Sequence, residues 1–408
     1  MFLKIFSVIK KIIIKIILSV STLAILPILL VARVFFKYKI GIIRVDRLGH
    51  LALNTDLFFR RIQLGTIPLA YRYYLLAPRI TSQQVANSYL LTMFKRFGNK
   101  QQNVRIITNS ILYFIFGNMR KHLAKCELLY ELEYRSNEVE FSITKQSLYF
   151  TKEEINYGNN ELKILGIQNR KQKVVCIYAR DNAYLEEIDK NIDWKYHNYR
   201  NMDVDTYIDA IKYLISKEYK VIRIGSIVNK AVNFTDANFY DYSVSDHRTE
   251  FLDLFLVARS EFIVGSSSGA TDIAELFKVP FLAVNFAPCI GSPLGKNDLY
   301  MPKKYVDINN NDKVIPFKNV IKIDSTHLYQ GDMLQKNYGL SYIDNTPEEI
   351  LSAVIEMEQR ISGEFTETHS DKLLLHQYFE EFWKNNPKAK VKTNICLEWL
   401  RCNQSLYF

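Results

Sequence analysis

Several common chemistries are absent from this 408-residue chain. No glycine-rich run ends in Gly-Lys-Ser/Thr, so a P-loop ATPase is excluded, and the dinucleotide fingerprint G-x-G-x-x-G is missing too, which weakens a nicotinamide site. The five cysteines (Cys126, Cys176, Cys289, Cys396, Cys402) are odd in number and scattered. None has metal-ligand spacing, and Cys396 and Cys402 have no histidine nearby, so a zinc site is not expected. Cysteine usage of this kind suits a reducing compartment, and Cys176 and Cys289 sit in apolar runs as ordinary buried thiols. There is no internal repeat and no low-complexity tract. Outside the first 39 residues the chain also lacks charge excess: residues 1–39 hold seven Lys/Arg and no acid, whereas the other 369 hold 46 basic and 43 acidic side chains. Most of the net +10 is therefore assigned to the N-terminus, which argues against a polyanion-binding body and against a nucleic-acid partner.

The composition, 48% apolar and 24% charged, is that of a packed globular protein, and the length suits two domains. From Ile16 to Ala32, "IILSVSTLAILPILLVA", seventeen residues carry no charge, at the lower edge of what spans a bilayer. The preceding "KIFSVIKKIIIK" is basic and apolar, as an interfacial or signal-anchor flank would be. No small-x-small cleavage pattern follows Ala32, so an anchor is expected in preference to a cleaved signal peptide; Pro27 leaves spanning and dipping both open.

Beyond the anchor, apolar runs alternate with helical patterns. "IGIIRVD" (Ile40–Asp46) reads as a strand and "RLGHLALNTDLFFRRI" as a glycine turn into a helix. Leu112–Leu123 reads as a helix weakened by Gly117, and Glu138–Ile143 as a strand. The polar stretch Thr151–Lys173 marks an interdomain boundary. After it, strands are expected at Val174–Asp181, Lys220–Gly225, Glu261–Gly265 and Pro280–Asn285, with helices at Val204–Lys217 and Phe251–Arg259. Thr346 and Pro347 open a well-formed helix, and Asp371–Trp383 reads as another. The expected architecture is α/β: an N-terminal membrane helix (1–39), two Rossmann-like domains (40–168 and 169–345) and a C-terminal helical tail (346–408).

In a parallel sheet, ligands bind beyond the carboxyl ends of the strands. The residues there in the second half are Arg180 and Asp181, then Gly225 and Ser226, then Ser266, Ser267, Ser268 and Gly269, then Asn285 and Pro288. Small residues let N–H and hydroxyl groups approach an anion, and a following helix would add its N-terminal partial charge. Arg180, Arg200, Arg223 and Arg248 lie in or beside these loops, and guanidinium forks suit phosphate oxygens. Such a set would suit a diphosphate; equally, Ser266–Gly269 reads as a tight strand-to-helix turn and no more. Asp272 and Glu275 suit either the helix N-terminus or a ribose hydroxyl. Asp203 and Asp205 mimic a metal-binding DxD, although capping is the simpler use at a helix start. His247 suits ligand contact or a cap. In the first half, His50 and Asp46 flank the glycine turn; His50 is a candidate general base or a packed histidine.

Together, "RLGHLALN", "YARD", "YRNMDVDTYIDAIKYLISKEYKVIRIGS" and "FIVGSSSGATDIAELFKVPFLAVN" resemble a group of bacterial glycosyltransferases encoded near surface-polysaccharide and lipopolysaccharide clusters, and more broadly the two-Rossmann GT-B architecture. The resemblance covers roughly residues 40–350 and includes the Arg200–Asn201 pair. It implies a nucleotide-sugar donor in the C-terminal half and an acceptor in the N-terminal half, with a base from the first N-terminal loop. No metal or other cofactor is implied. A lipid-linked or oligosaccharide acceptor would explain a membrane location, at the inner membrane with the catalytic domains facing the cytoplasm. A nucleotide-sugar epimerase or a non-catalytic scaffold on the same architecture are the alternatives.

Overall fold

The computed structural model describes residues 20, 22–133, 139–169, 171–188, 193–287, 293, 295–324, 331–385 and 393–407. The chain divides into two compact units, Met1–Tyr134 and Arg135–Phe408.

Unit 1 is built on a four-stranded parallel sheet of β1 (Tyr38–Ile42), β2 (Arg72–Ala77), β3 (Val104–Thr108) and β4 (Leu129–Tyr130), in the order β3-β2-β1-β4. The first strand starts and ends earlier than the apolar run at Ile40–Asp46 suggests, because the chain leaves the sheet at Ile43 to form the loop before His50. Helix α1 (22–35) precedes β1, and α2 (Thr55–Gln63), α3 (Ser88–Lys100), α4 (Ser110–Asn118) and α5 (Arg120–Lys125) follow in turn. The helix expected over Leu112–Leu123 is thus two helices, joined at the buried Met119 just after Gly117.

The described part of helix α1, residues 22–35, covers about 21 Å at 1.5 Å per residue. Among the described residues no helix is long and apolar enough to cross a membrane. Ile16–Ser19 and the basic flank before them lie outside the described residues. What is described of the expected anchor packs on unit 1: Ile25, Leu26, Leu29 and Ala32 lie against Tyr38, Ile40, Leu76, Met119, Leu123 and Leu128.

Unit 2 holds a seven-stranded sheet. Its strands are β5 (Val174–Tyr178), β6 (Lys220–Arg223), β7 (Phe239–Asp241), β8 (Phe262–Gly265), β9 (Phe281–Phe286), β10 (Leu299–Pro302) and, from the far end of the chain, β14 (Asn394–Ile395). They run parallel in the order β14-β10-β9-β8-β5-β6-β7. Chain order therefore leaves β5 in both directions, and the switch point falls between β5 and β8. These strands are buried on both faces, as near-continuous runs such as "VVCIY" and "FLAVNF" require. A small antiparallel sheet, β12-β11-β13, is made by β11 (Lys304–Asp307), β12 (Lys313–Val314) and β13 (Leu340–Ile343).

Helices of unit 2 used below are α6 (Glu140–Ile143), α7 (Lys152–Ile164), α8 (Ile208–Ser216), α9 (Glu250–Arg259), α10 (Asp272–Phe277), α11 (Pro347–Ser362), α12 (His369–Asn385) and α13 (Leu397–Cys402). Three sequence expectations need correction here. Glu138–Ile143 is not a strand, since Glu140–Ile143 forms the single turn α6. The polar stretch at 151–173 is not a linker: Thr151 and Glu154 close a capping box on α7, whose Gly158 lies under the Phe255 ring of α9. Residues 135–168 accordingly belong with the second unit. The C-terminal segment is not wholly helical, because β14 pairs with β10 and Cys396 N–H donates to Tyr300 O at 3.0 Å. Thr346 caps α11 as expected. Glu358 on that helix accepts from Tyr213 and Tyr219, each at 3.3 Å, fixing α11 against α8.

Charge also divides with the units. Residues 1–134 hold 20 Lys/Arg and 5 Asp/Glu, and residues 135–408 hold 33 and 38. The basicity assigned to residues 1–39 thus extends through unit 1. An acidic unit 2 hides it in the whole-chain sum.

A Cβ at Gly158 would lie 2.4 Å from Phe255 Cε1. Gly158→Ala is expected to destabilise the protein by about 1–3 kcal/mol despite better helix propensity. Phe255→Leu in the same chain should recover part of that loss in urea unfolding; a stabilised single variant would show that the two helices are not packed this tightly.

Candidate functional site

The sheet of unit 2 brings the β5 and β8 loops together at its switch point. Gly265 permits this approach, since a Cβ there would lie 2.8 Å from Tyr178 O. Arg180 N–H donates to Ser266 Oγ at 3.4 Å, Ser268 Oγ donates to the Tyr178 hydroxyl at 3.0 Å, and Thr271 Oγ1 closes the turn on Ser268 N–H at 3.2 Å. Thus Ser266 and Ser268 serve the turn itself. Among the described residues the Ser267 hydroxyl and the N–H groups of Ser267 and Gly269 have no recorded partner. The structural and the anion-binding readings of this segment therefore apply to different residues in it. The expected contribution of the following helix is small, because α10 has only six residues and no side-chain cap.

Four arginines were nominated from sequence, and the fold separates them into two pairs. Arg223 is fully buried but neutralised: Nη1 donates to Asp241 at 3.0 Å and to Lys230 O at 2.7 Å. Arg248 is likewise held by Asp253 at 2.7 Å. The other pair is held by neutral acceptors. Buried Arg180 donates through Nη1 to His197 O at 3.1 Å and to Asn201 Oδ1, and Asn201 in turn bonds Asn182 at 2.7 Å. Arg200 contacts His197 Nδ1 at 2.7 Å and lies over the Tyr199 ring, and its buried Nε has no partner among the described residues. No carboxylate is hydrogen-bonded to either guanidinium among the described residues. Burial and the charge of Arg200 together bring the Arg180 pKa down to about 10. Buried Lys303, just after β10, donates to Asn201 O at 3.1 Å and is paired with Asp344 at 2.5 Å, so it braces Asn201 with its own charge compensated. A surplus of positive charge held by neutral dipoles suits an anion with several oxygens.

The remaining nominated residues divide similarly. Asp181 accepts from Ala183 N–H at 3.0 Å and Asn229 N–H at 2.8 Å, so it tethers the β5 loop to the β6 loop containing Gly225 and Ser226. His247 is exposed beyond the edge strand β7. Glu275 is buried and paired with Lys278 at 2.7 Å. Asp203 and Asp205 both grip Lys230 at 2.7 Å, and Asp203 caps Asp205 N–H, so these carboxylates serve the loop. Half-buried Asp272 lies near Arg200, and burial pushes its pKa up to about 7 despite that cation. Pro288 and Cys289 lie outside the described residues. Tyr178 opens the "YARD" motif and Asn182 directly follows it, so both had a local cue, whereas His197 and Lys303 carry none.

In unit 1, Asp46 and His50 follow β1, beside the switch between β1 and β4. His50 opens a π-helical turn, His50–Asn54, that runs into α2; such turns recur at functional sites. Burial first, then Arg44 and Arg47, lower the His50 pKa, so the imidazole is neutral and can accept a proton at pH 7. Asp46 is exposed, 4.0 Å from Arg44 Nε, and exerts only a weaker opposing pull on His50. No hydrogen bond joins Asp46 to His50 among the described residues.

No family model matches the chain, and no curated protein matches it. Among solved structures, E. coli ADP-heptose lps heptosyltransferase II is similar with a TM-score of 0.44 and 14% identity, covering 79% of this chain and 99% of that one. A glycosyl transferase family 9 structure from Veillonella parvula DSM 2008 gives 0.41 and 8%, covering 65% and 86%. E. coli heptosyltransferase WaaC with ADP-2-deoxy-2-fluoro heptose gives 0.34 and 11%, covering 64% and 92%. Likeness at this level does not bear on what the chain does.

Asp272 binds its proton more tightly when folded, with a pKa of about 7 against 3.8 in the open chain. Its contribution to stability is therefore present below about pH 4 and lost as pH rises through about 7. Relative to the native chain, Asp272→Asn should gain Tm progressively over that window in thermal melts. A constant difference across pH would mean that Asp272 is not held this way.

Proposed function

We propose that the chain is a membrane-associated glycosyltransferase. It moves a sugar from a nucleotide-sugar donor to a lipid-linked or polysaccharide acceptor in bacterial cell-surface glycan synthesis, at the cytoplasmic face of the inner membrane. The observation that carries this reading is the pair Arg180 and Arg200, buried or half-buried beyond β5 and held by neutral acceptors beside the free N–H groups of the serine turn. The donor's diphosphate would lie against these groups, which would stabilise the charge that develops as the bond from the anomeric carbon to the diphosphate oxygen breaks. The acceptor hydroxyl oxygen forms the new bond to that carbon, and its proton passes to neutral His50. Two parallel α/β units with Rossmann-like strand order, and the sequence motifs that resemble GT-B transferases, support the same assignment.

A thermal-shift screen of UDP-, GDP-, CMP- and ADP-sugars tests it. One class should raise Tm, by an amount corresponding to about 2.7 kcal/mol at a hundredfold excess over Kd. Arg180→Ala or Arg200→Ala should remove that shift. His50→Ala should keep the shift and lose roughly 10²- to 10⁴-fold in turnover. If no nucleotide-sugar stabilises the native chain, the donor site and the function fall together.

A further inference from the structure

Helix α1 has two apolar faces, and among the described residues only one is packed. Leu23, Ile28, Val31, Val34 and Phe35 point outward and are exposed. Nearby in the same unit, α4 has no buried residue and exposes Ile111 and Phe114. Between them runs an apolar groove of about 360 Å³, with Leu29, Ala32 and Phe36 on one side, Leu112 and Phe116 on the other, and Arg72 at its edge. An apolar surface of this extent is unusual on a protein that meets only water. Arg72 lines it, and the elements that form it carry further exposed cations: Arg33 on α1, paired with Glu127 at 2.8 Å, Lys37 just after α1, and Lys121 and Lys125 on the helix after α4. In sequence, residues 1–19 carry Lys4, Lys10, Lys11 and Lys15 and no acid.

We infer that this α1/α4 face lies in the interfacial zone of an anionic phospholipid bilayer, with lipid acyl chains covering the groove. The charge selects the occupant. A second copy of the chain would oppose two units that each carry 20 basic and 5 acidic groups, and nucleic acid would leave the apolar face uncovered. Anionic lipid satisfies both at once, since basic residues favour the headgroups and apolar side chains the acyl boundary. The surface belongs to the folded unit and does not require a spanning segment. The inference deepens the membrane part of the proposed function and is independent of the donor site.

The test uses the full chain with vesicles of phosphatidylcholine alone or mixed with phosphatidylglycerol. Phe114→Trp places a fluorophore on α4, in a unit whose sequence has no tryptophan of its own; Trp194, Trp383 and Trp399 all belong to unit 2. On phosphatidylglycerol vesicles its added emission should shift blue and be quenched by brominated acyl chains. Ile111→Asp with Phe114→Asp should weaken vesicle binding at least tenfold and leave the nucleotide-sugar thermal shift intact. That shift also confirms folding, and separates this inference from the donor-site reading. If the introduced indole stays unquenched while the protein is vesicle-bound, the inference is overturned, as it is by vesicle binding unchanged in the double variant. A mass in solution that halves in the double variant would assign the face to a second copy instead.

Discussion

Two guanidinium groups, those of Arg180 and Arg200, lie close enough that burial and the charge of Arg200 together lower the affinity of Arg180 for its proton, and no carboxylate is bonded to either among the described residues. Holding such a pair in a folded protein costs free energy, because burial disfavours charge and like charges repel. Neutral acceptors offset part of that cost: the His197 carbonyl, the Asn201 amide and the His197 ring. Neutral dipoles fix the geometry of an arginine without cancelling its charge. A carboxylate in the same place would fix it and also occupy the site.

The contrast within the same sheet makes the point. Arg223 and Arg248 meet Asp241 and Asp253, and their charge is neutralised inside the protein. Arg180 and Arg223 follow or end a strand, Arg200 closes the 3-10 turn Trp194–Arg200 and Arg248 lies between β7 and α9, and nothing in these positions tells which of them is neutralised. Only the identity of the partner separates a structural arginine from one available to a ligand. The serine turn shows the same division on a smaller scale, with Ser266 and Ser268 bonded within the fold and Ser267 without a bond partner among the described residues.

The central strands of the main sheet of unit 2 (β5, β6, β8 and β9) were legible because apolar runs such as "VVCIY" and "FIVG" are long enough to be buried on both faces, whereas β7, β10 and β14 and the small antiparallel sheet were not. The helix start at Thr346 was legible because its cap is local. Where reading failed, a distant contact decided. The polar run at 151–173 looked like a linker, but Phe255 recruits α7 through a glycine at its middle. The tail looked helical, but two of its residues complete the edge of a sheet begun more than 200 residues earlier. The positive charge of unit 1 was concealed by averaging over an acidic partner whose boundary the sequence did not mark.

By itself the sequence determined the α/β class, the parallel direction of the short strands and the short set of loops in which chemistry can occur. All of these depend on local periodicity and on residues adjacent in the chain. Which candidates belong together was decided by the tertiary structure. Lys303 reaches the arginine cluster from a hundred residues away, and Asp181 faces another loop although it is next to Arg180. The physical reason is that a binding site depends on uncompensated charge. Whether a charge is compensated is a property of its neighbours in space, which the order of residues along the chain does not specify.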